Sequence, residues 1–351
     1  MHPHVSLHAD DTDWGVPVAS PGLLLDVPFE GRWRQRPFLH VEAAPRYRLR
    51  LMSGGQPLLW MRIDAGWEGC GFLRGPAPAP RCLPPLTAAE VRGVAPAPAT
   101  PEWWAAWSHR FARELEGAEA SLLHGGRWAL RPLVPVPFAK AHRYPTVPTS
   151  GPGGVLDPPH SLEDAPRFEP YWMDPWDWSW AAEDSEDANM RSGAVLPLRA
   201  LSPESDGRVK AWRKHARDGT LPPVLLLFFQ LVGKWLVVDG HDRLQAALLE
   251  GLAPPLLGLW PFLEEALPDN AAWREAYIRD VDVGLRIRAK PADIDSANQK
   301  LLRAHQTHQP VPFTRAWPLR GGVAAWRRDV QAFRERAFSK DPESWAWFSG
   351  V

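Results

Sequence analysis

Five consecutive residues, Asp239-Gly240-His241-Asp242-Arg243, place two carboxylates, an imidazole and a guanidinium on one short stretch. The apolar run Trp235 to Val238 precedes them, and Leu244, Ala247, Leu248 and Gly251 follow at helical spacing. A β-prone run, a glycine-containing turn and an amphipathic stretch read as strand, sharp turn and short helix. Gly251 is placed to end that helix. The chemistry follows from the position. The first N–H groups of a helix have no acceptor within it, and they attract anions. A guanidinium fork and an imidazole beside them suit phosphate oxygens. If there is a reaction, phosphoryl transfer is its natural class, with Arg243 and the helix start stabilising the developing charge. A carboxylate would then serve as base or metal ligand, and Asp239, Asp242, Glu204 and Asp206 are near enough in sequence to be candidates. Against this stands a plainer account: strand, Asp-Gly and helix is a common connection, and Arg243 could simply pair with Asp239 or Glu250.

The elements that must position the turn are orderly. Ala194 to Leu198 reads as a short strand. Val209, Trp212 and Ala216 mark one stripe of a helix over 207–218, which Gly219 ends. Leu221 to Gln230 is an extended entry into a buried strand, and Leu256 to Trp260 is another strand. This order, with Pro222-Pro223-Val224 before one strand and Val237-Val238-Asp239-Gly240-His241-Asp242-Arg243-Leu244 before a helix, resembles the ParB/sulfiredoxin superfamily. Its members include the N-terminal domain of ParB partition proteins, sulfiredoxin and a free serine kinase. The resemblance covers about 70 of 351 residues, 193–262.

What the resemblance implies is a nucleotide site, for ATP or CTP depending on the branch, with magnesium as a companion ion. Gly240, His241 and Arg243 would contact phosphate, and Asp239 would shape the turn or lie near the metal. The departures limit this. Gly240 stands where sulfiredoxin carries its catalytic cysteine, and neither Cys70 nor Cys82 lies in the segment, so sulfinic acid reduction is not expected. Ala297-Asn-Gln-Lys-Leu-Leu faintly echoes the second phosphate box of ParB but lies more than fifty residues on, and no DNA-reading helix pair is evident. Asp242 stands where the family carries a second basic residue. An acid there repels phosphate unless it turns outward, caps the helix or helps to hold Mg²⁺.

The whole chain sets the outer bounds. With 45% hydrophobic and 23% charged residues it has the composition of a soluble globular protein. A net charge of −1 gives no general pull toward nucleic acid or an anionic membrane. Two cysteines make no disulfide scaffold or metal pair, the first residues lack a signal pattern, and the greasiest run, Val224 to Phe229, is strand-sized. A cytoplasmic protein with no membrane partner is expected. His2, His4 and His8 near Asp10 and Asp11 read as part of a frayed leader, and His305 with His308 lacks a third local ligand, so no metal site is expected.

Four segments are expected. Residues 1–130 form a β-rich unit: Leu23 to Val27, Phe38 to Val41, Tyr47 to Met52 and Leu58 to Ile63 read as strands, with a hairpin loop at Ser53–Pro57. Arg48 and Arg50 project to one face of it, read as solvated, with a ligand surface as the other option. A helix opened by Pro101 carries Trp104, Trp107, Phe111 and Leu115 on one stripe. Residues 131–190 are an irregular Pro-, Trp- and acid-rich arm that clamps the domains or, through 169–187, docks a protein partner. Residues 191–262 are the ParB/sulfiredoxin-like domain, and 263–351 a helical unit. In its last clear helix Arg327, Arg328, Arg334 and Arg336 lie off the apolar stripe, read as a solvated face paired with Asp329 and Glu335.

The expected class is α+β, a small mixed sheet flanked by these two units. The expected function is nucleotide binding through Gly240, His241 and Arg243. NTPase or small-molecule kinase chemistry would rest on Asp239, Asp242 or Glu204. The alternatives are a DNA-binding or nuclease-type relative, and a non-catalytic interaction scaffold.

Overall fold

In the computed structural model, the described residues are 4–6, 22–63, 69–75, 81–94, 96–136, 168–172, 179–182, 195–232, 234–266, 271–287, 307–335 and 342–350, with single positions at 294, 297, 298, 301 and 305. The strands of the first half are β1 (His4–Ser6), β2 (Leu23–Val27), β3 (Leu39–Ala44), β4 (Arg48–Ser53), β5 (Gln56–Ile63), β6 (Gly69–Arg74) and β7 (Gly126–Val136). Then come β8 (Phe168–Trp172), β9 (Ser179–Ala182), β10 (Val195–Pro197), β11 (Val224–Phe229), β12 (Lys234–Asp239), β13 (Leu256–Ala266), β14 (His308–Pro312) and β15 (Ala316–Pro318). The helices are α1 (Ala88–Arg92), α2 (Pro101–Gly117), α3 (Gly207–Arg217), α4 (His241–Leu249), α5 (Ala271–Ile287), α6 (Gly322–Gln331) and α7 (Pro342–Ser349). None of these helices is long and apolar enough to cross a membrane.

The fold is α+β, with two mixed sheets. One runs β15-β3-β4-β5-β6-β8; the other runs β1-β2-β7-β13-β11-β12-β10, with β14 also on β13 and β9 also on β7. In the second, β10 lies parallel to β12 and β11 parallel to β13. The unbroken apolar runs of β11 and β12 follow from burial on both faces. Val224, Leu226, Phe228, Trp235 and Val237 enter one core, while Leu225, Phe229, Leu236 and Val238 enter the other. The hairpin from β4 to β5 turns on Gly54 and Gly55, at φ 56° and 85°, the two positive angles that a tight two-residue hairpin demands.

Several sequence expectations need correcting. The four segments do not coincide with the sheets: β7 lies beside β13 and β2 beside β7, and Leu256 to Phe262 pair antiparallel with Leu133 to Arg127. The backbone groups on both edges of a buried strand need partners, and β7, which spans the boundary of the first two segments, supplies them on one edge of β13. The 131–190 segment is not wholly irregular, because β8 pairs with β6 and β9 with β7. Most of the partner-docking stretch 169–187 lies outside the described residues. The C-terminal segment is not purely helical. β14 pairs with β13 and β15 with β3, and prolines hid β14, which tolerates them as an edge strand.

On α2 it is Trp103 with Trp107, Phe111, Ala112 and Leu115 that is buried, Trp104 being only partly covered. The face bearing Arg48 and Arg50 is not solvated. Arg48 is 1% exposed and donates to the Ser349 carbonyl at 3.2 Å, and Arg50 bridges Glu42 and Asp329 at 2.6 and 2.7 Å. Helices α6 and α7 cover that sheet through Trp326, Val330, Trp345 and Phe348, packed with Trp60 and Leu73.

Gly258 in the middle of β13 marks how tightly the central strands pack. A β-carbon there would lie 2.7 Å from both Leu133 and Trp235 side-chain atoms. Gly258→Ala is expected to cost about 1–3 kcal/mol, read as a lower urea midpoint with an unchanged slope.

Candidate functional site

The Asp239–Arg243 turn joins the end of β12 to the start of α4 as its sequence pattern indicates. Gly240 sits at φ 93° and ψ 22°, a left-handed angle that other side chains rarely adopt. A β-carbon on it would also lie 2.7 Å from the Arg243 guanidinium. Glycine is therefore required twice over, by backbone angle and by close approach.

Arg243 does not point outward. It is 3% exposed, and its Nη2 donates to Asp239 Oδ2 at 2.6 Å and to the Pro223 carbonyl at 3.0 Å. The guanidinium carbon lies 5.8 Å from the centre of the Trp212 ring on α3, a cation–π distance. Of the two pairings considered from the sequence, Asp239 is the one formed; Glu250 instead meets Arg213 and Arg217. Arg243 is thus the floor of the turn. His241 is also buried, and its Nε2 accepts the Leu198 N–H at 3.2 Å, which fastens the helix start to the end of β10. Any ring proton then resides on Nδ1.

Asp242 is turned to the side, toward the loop after β10. Arg199 Nη2 and Ser202 Oγ donate to its Oδ1 at 2.6 and 2.7 Å, and Arg208 Nε lies 3.6 Å from its Oδ2. Burial opposes ionisation, but these hydrogen bonds and the charges of Arg199 and Arg208 outweigh it, so the carboxyl titrates below the ordinary aspartate value. Among the described residues, the hydrogen bonds of the Asp242 side chain are to Arg199 and Ser202 and not to the backbone of α4. The backbone N–H groups of Asp242 and Arg243 have no acceptor among the described residues. The sequence did not single out Arg199, Ser202 or Arg208. The parallel pairing of β10 with β12 carries 199–202 beside residue 242, and no local pattern encodes that contact.

The remaining candidate carboxylates are not gathered at the turn by a shared partner. Glu204 pairs with Arg213, which also holds Glu250. Asp206 caps α3, accepting from the N–H groups of Arg208 and Val209 at 2.8 and 3.4 Å. Among the described residues no three His, Cys, Asp or Glu side chains are grouped to hold a metal ion. Cys82 is buried, with its thiol pushed up to about 12 by burial and by the nearby Asp239 carboxylate, so it is no thiolate nucleophile at neutral pH.

Comparison of the chain with protein-family models, with curated proteins and with solved structures finds no match.

The linkage at Asp242 has a defined sign. Its folded value lies below the unfolded one, so its stabilisation is present above the unfolded value, near pH 4, and fades as pH falls through the folded value. Asp242→Asn is expected to lose about 1–3 kcal/mol at pH 7, the scale of charge-assisted hydrogen bonds. Denaturation series at pH 7 and pH 3 check this: the deficit relative to wild type shrinks at the lower pH.

Proposed function

We propose that the chain is a nucleotide-binding protein that holds the phosphates of ATP or CTP at the start of α4, in a unit resembling the ParB/sulfiredoxin superfamily. The observation that carries this reading is the pair of backbone N–H groups at Asp242 and Arg243 without an acceptor among the described residues, at a helix start whose preceding residue, Gly240, carries no side chain. Arg199 and Arg208, with side chains 39% and 60% exposed, stand at the rim. Around the turn three guanidiniums, of Arg199, Arg208 and Arg243, face two carboxylates, of Asp239 and Asp242, so the local balance favours an anion.

Within this reading the roles divide. Gly240 and the helix N–H groups meet the phosphate, Arg199 and Arg208 close over it, and Arg243 and His241 hold the turn in shape. Hydrolysis or transfer would need a base. Asp239, Asp242 and Glu204 are each engaged by arginine, which supports binding over turnover. Magnesium would arrive on the phosphates and not on a carboxylate cage. Nothing in the geometry favours the DNA-binding alternative: of the arginines on α6, Arg327 donates to the carbonyls of Ser349 and Gly350 inside the C-terminal segment.

Calorimetric titration of the whole chain with ATP, CTP and GTP, with and without Mg²⁺, tests the reading. Binding of ATP or CTP is expected. Gly240→Val should weaken it by about tenfold or more, because the new side chain meets the Arg243 guanidinium. The Arg199→Ala, Arg208→Ala double variant should weaken it with a smaller dependence on salt. A folded wild type that binds none of the three nucleotides rules the reading out.

A further inference from the structure

Two of the well-covered arginines sit against acids. Arg243 has Asp239, and Arg50 on β4 has Glu42 and Asp329. Arg48, two residues earlier on the same strand, is the exception. It is 1% exposed and donates only to carbonyls, of Arg46 at 3.3 Å and of Ser349 at 3.2 Å. Its Nε is buried with no hydrogen-bond partner among the described residues. Burial and then the charges of Arg62, Arg327 and Arg46 push its pKa down to about 10, so it stays charged at neutral pH.

Those three guanidiniums reach the same point from different elements. Arg327 on α6 donates through Nε to the Ser349 carbonyl at 3.1 Å and through Nη2 to the Gly350 carbonyl. Gly350 follows α7 at φ 68°, and a β-carbon on it would overlap Arg48 Nη2 and lie 3.2 Å from Arg62 Nη1. Arg62 on β5 therefore faces the same glycine. Arg46 belongs to the turn before β4, where it and Tyr47 hold φ 61° and 56°, angles rare for residues with a side chain. Among the described residues no acid pairs with Arg46, Arg48 or Arg327. The carbonyls at a helix end carry only partial charge. They offset part of four whole charges, and a buried charge without a counter-charge is costly. Arg46 is exposed and Arg62 and Arg327 are partly exposed, so the cluster meets solvent and an anion needs no interior cavity to reach it.

We propose that Arg46, Arg48, Arg62 and Arg327 form a second anion site, which takes a phosphate dianion, free or as the end of a small phosphomonoester. Two negative charges answer the excess of guanidiniums better than one. Donor forks arriving from two strands, a turn and a helix suit a tetrahedral group better than a flat carboxylate. The site is independent of the nucleotide reading, since it shares no residue with the turn at 239–243.

The probes are inorganic phosphate and glycerol 3-phosphate, titrated by calorimetry into the whole chain near pH 8, where both are dianions. Acetate and sodium chloride at equal ionic strength are the controls. At least one phosphate should bind and raise the thermal midpoint beyond either control, and the tighter of the two names the source. Arg327→Gln should weaken it by roughly tenfold, and Arg46→Asn, which keeps a residue tolerant of the left-handed angle, by roughly two- to tenfold. The Arg199→Ala, Arg208→Ala double variant should leave it unchanged. The proposal is overturned if neither phosphate binds the folded wild type or if chloride or acetate stabilises it as well. It is also overturned if Arg46→Asn leaves the affinity unchanged or if the double variant abolishes binding, which would place the phosphate at the turn. Arg46→Asn, at an exposed position, decides the matter even if Arg327→Gln does not fold.

Discussion

The guanidinium of Arg243, buried beneath its own turn, is the tie on which the local structure depends. It joins the Asp239 carboxylate at the end of β12 to the Pro223 carbonyl at the entry to β11, and lies against Trp212 on α3. One side chain on α4 therefore fixes two strands and a second helix. Its position also dictates glycine at 240, since a β-carbon would strike it. With the floor built from a charged pair, the N–H groups of Asp242 and Arg243 above it have no acceptor among the described residues, and the polar side chains nearest them belong to another loop.

That loop is delivered by sheet order. Because β10 runs parallel to β12, the residues after β10 emerge at the same end as the residues after β12. Arg199 and Ser202 then reach Asp242 although about forty positions separate them. The paired carboxylate holds the rim arginines in place and offsets part of their charge, so Asp242 is a positioning residue on this geometry. The same sheet extends through β13, β7 and β2, and its burial on both faces makes the central strands a rigid support. The turn thus lies where chain segments leave a well-packed sheet, as is general for functional positions on rigid scaffolds.

Legibility in the sequence followed the range of the interactions. The β12 strand, the Gly240 turn, α4 and α3 were readable because period, turn chemistry and cap residues act within a few positions. The Gly54-Gly55 hairpin was readable for the same reason. The pairing of Arg243 with Asp239, four residues apart on a helix start, was within reach as one of two local options. What escaped was non-local. Nothing near Arg48 signals that α6 and α7 will cover it. Nothing near Leu256 signals that β7 will lie beside it. The prolines in β14 argue against a strand unless its edge position is known. His124 carried no motif at all; only the folded chain sets its ring among three aromatics and beside Arg315.

The proposal that phosphate sits on the start of α4 is tested most directly by amide NMR of the isotope-labelled protein during addition of ATP or CTP. A phosphate seated on the N-terminus of α4 shifts the amide resonances of Asp242 and Arg243 more than those of the rest of that helix, because their N–H groups acquire an acceptor. If nucleotide binds while those two resonances stay unmoved, the phosphate lies elsewhere and the turn is only a structural joint.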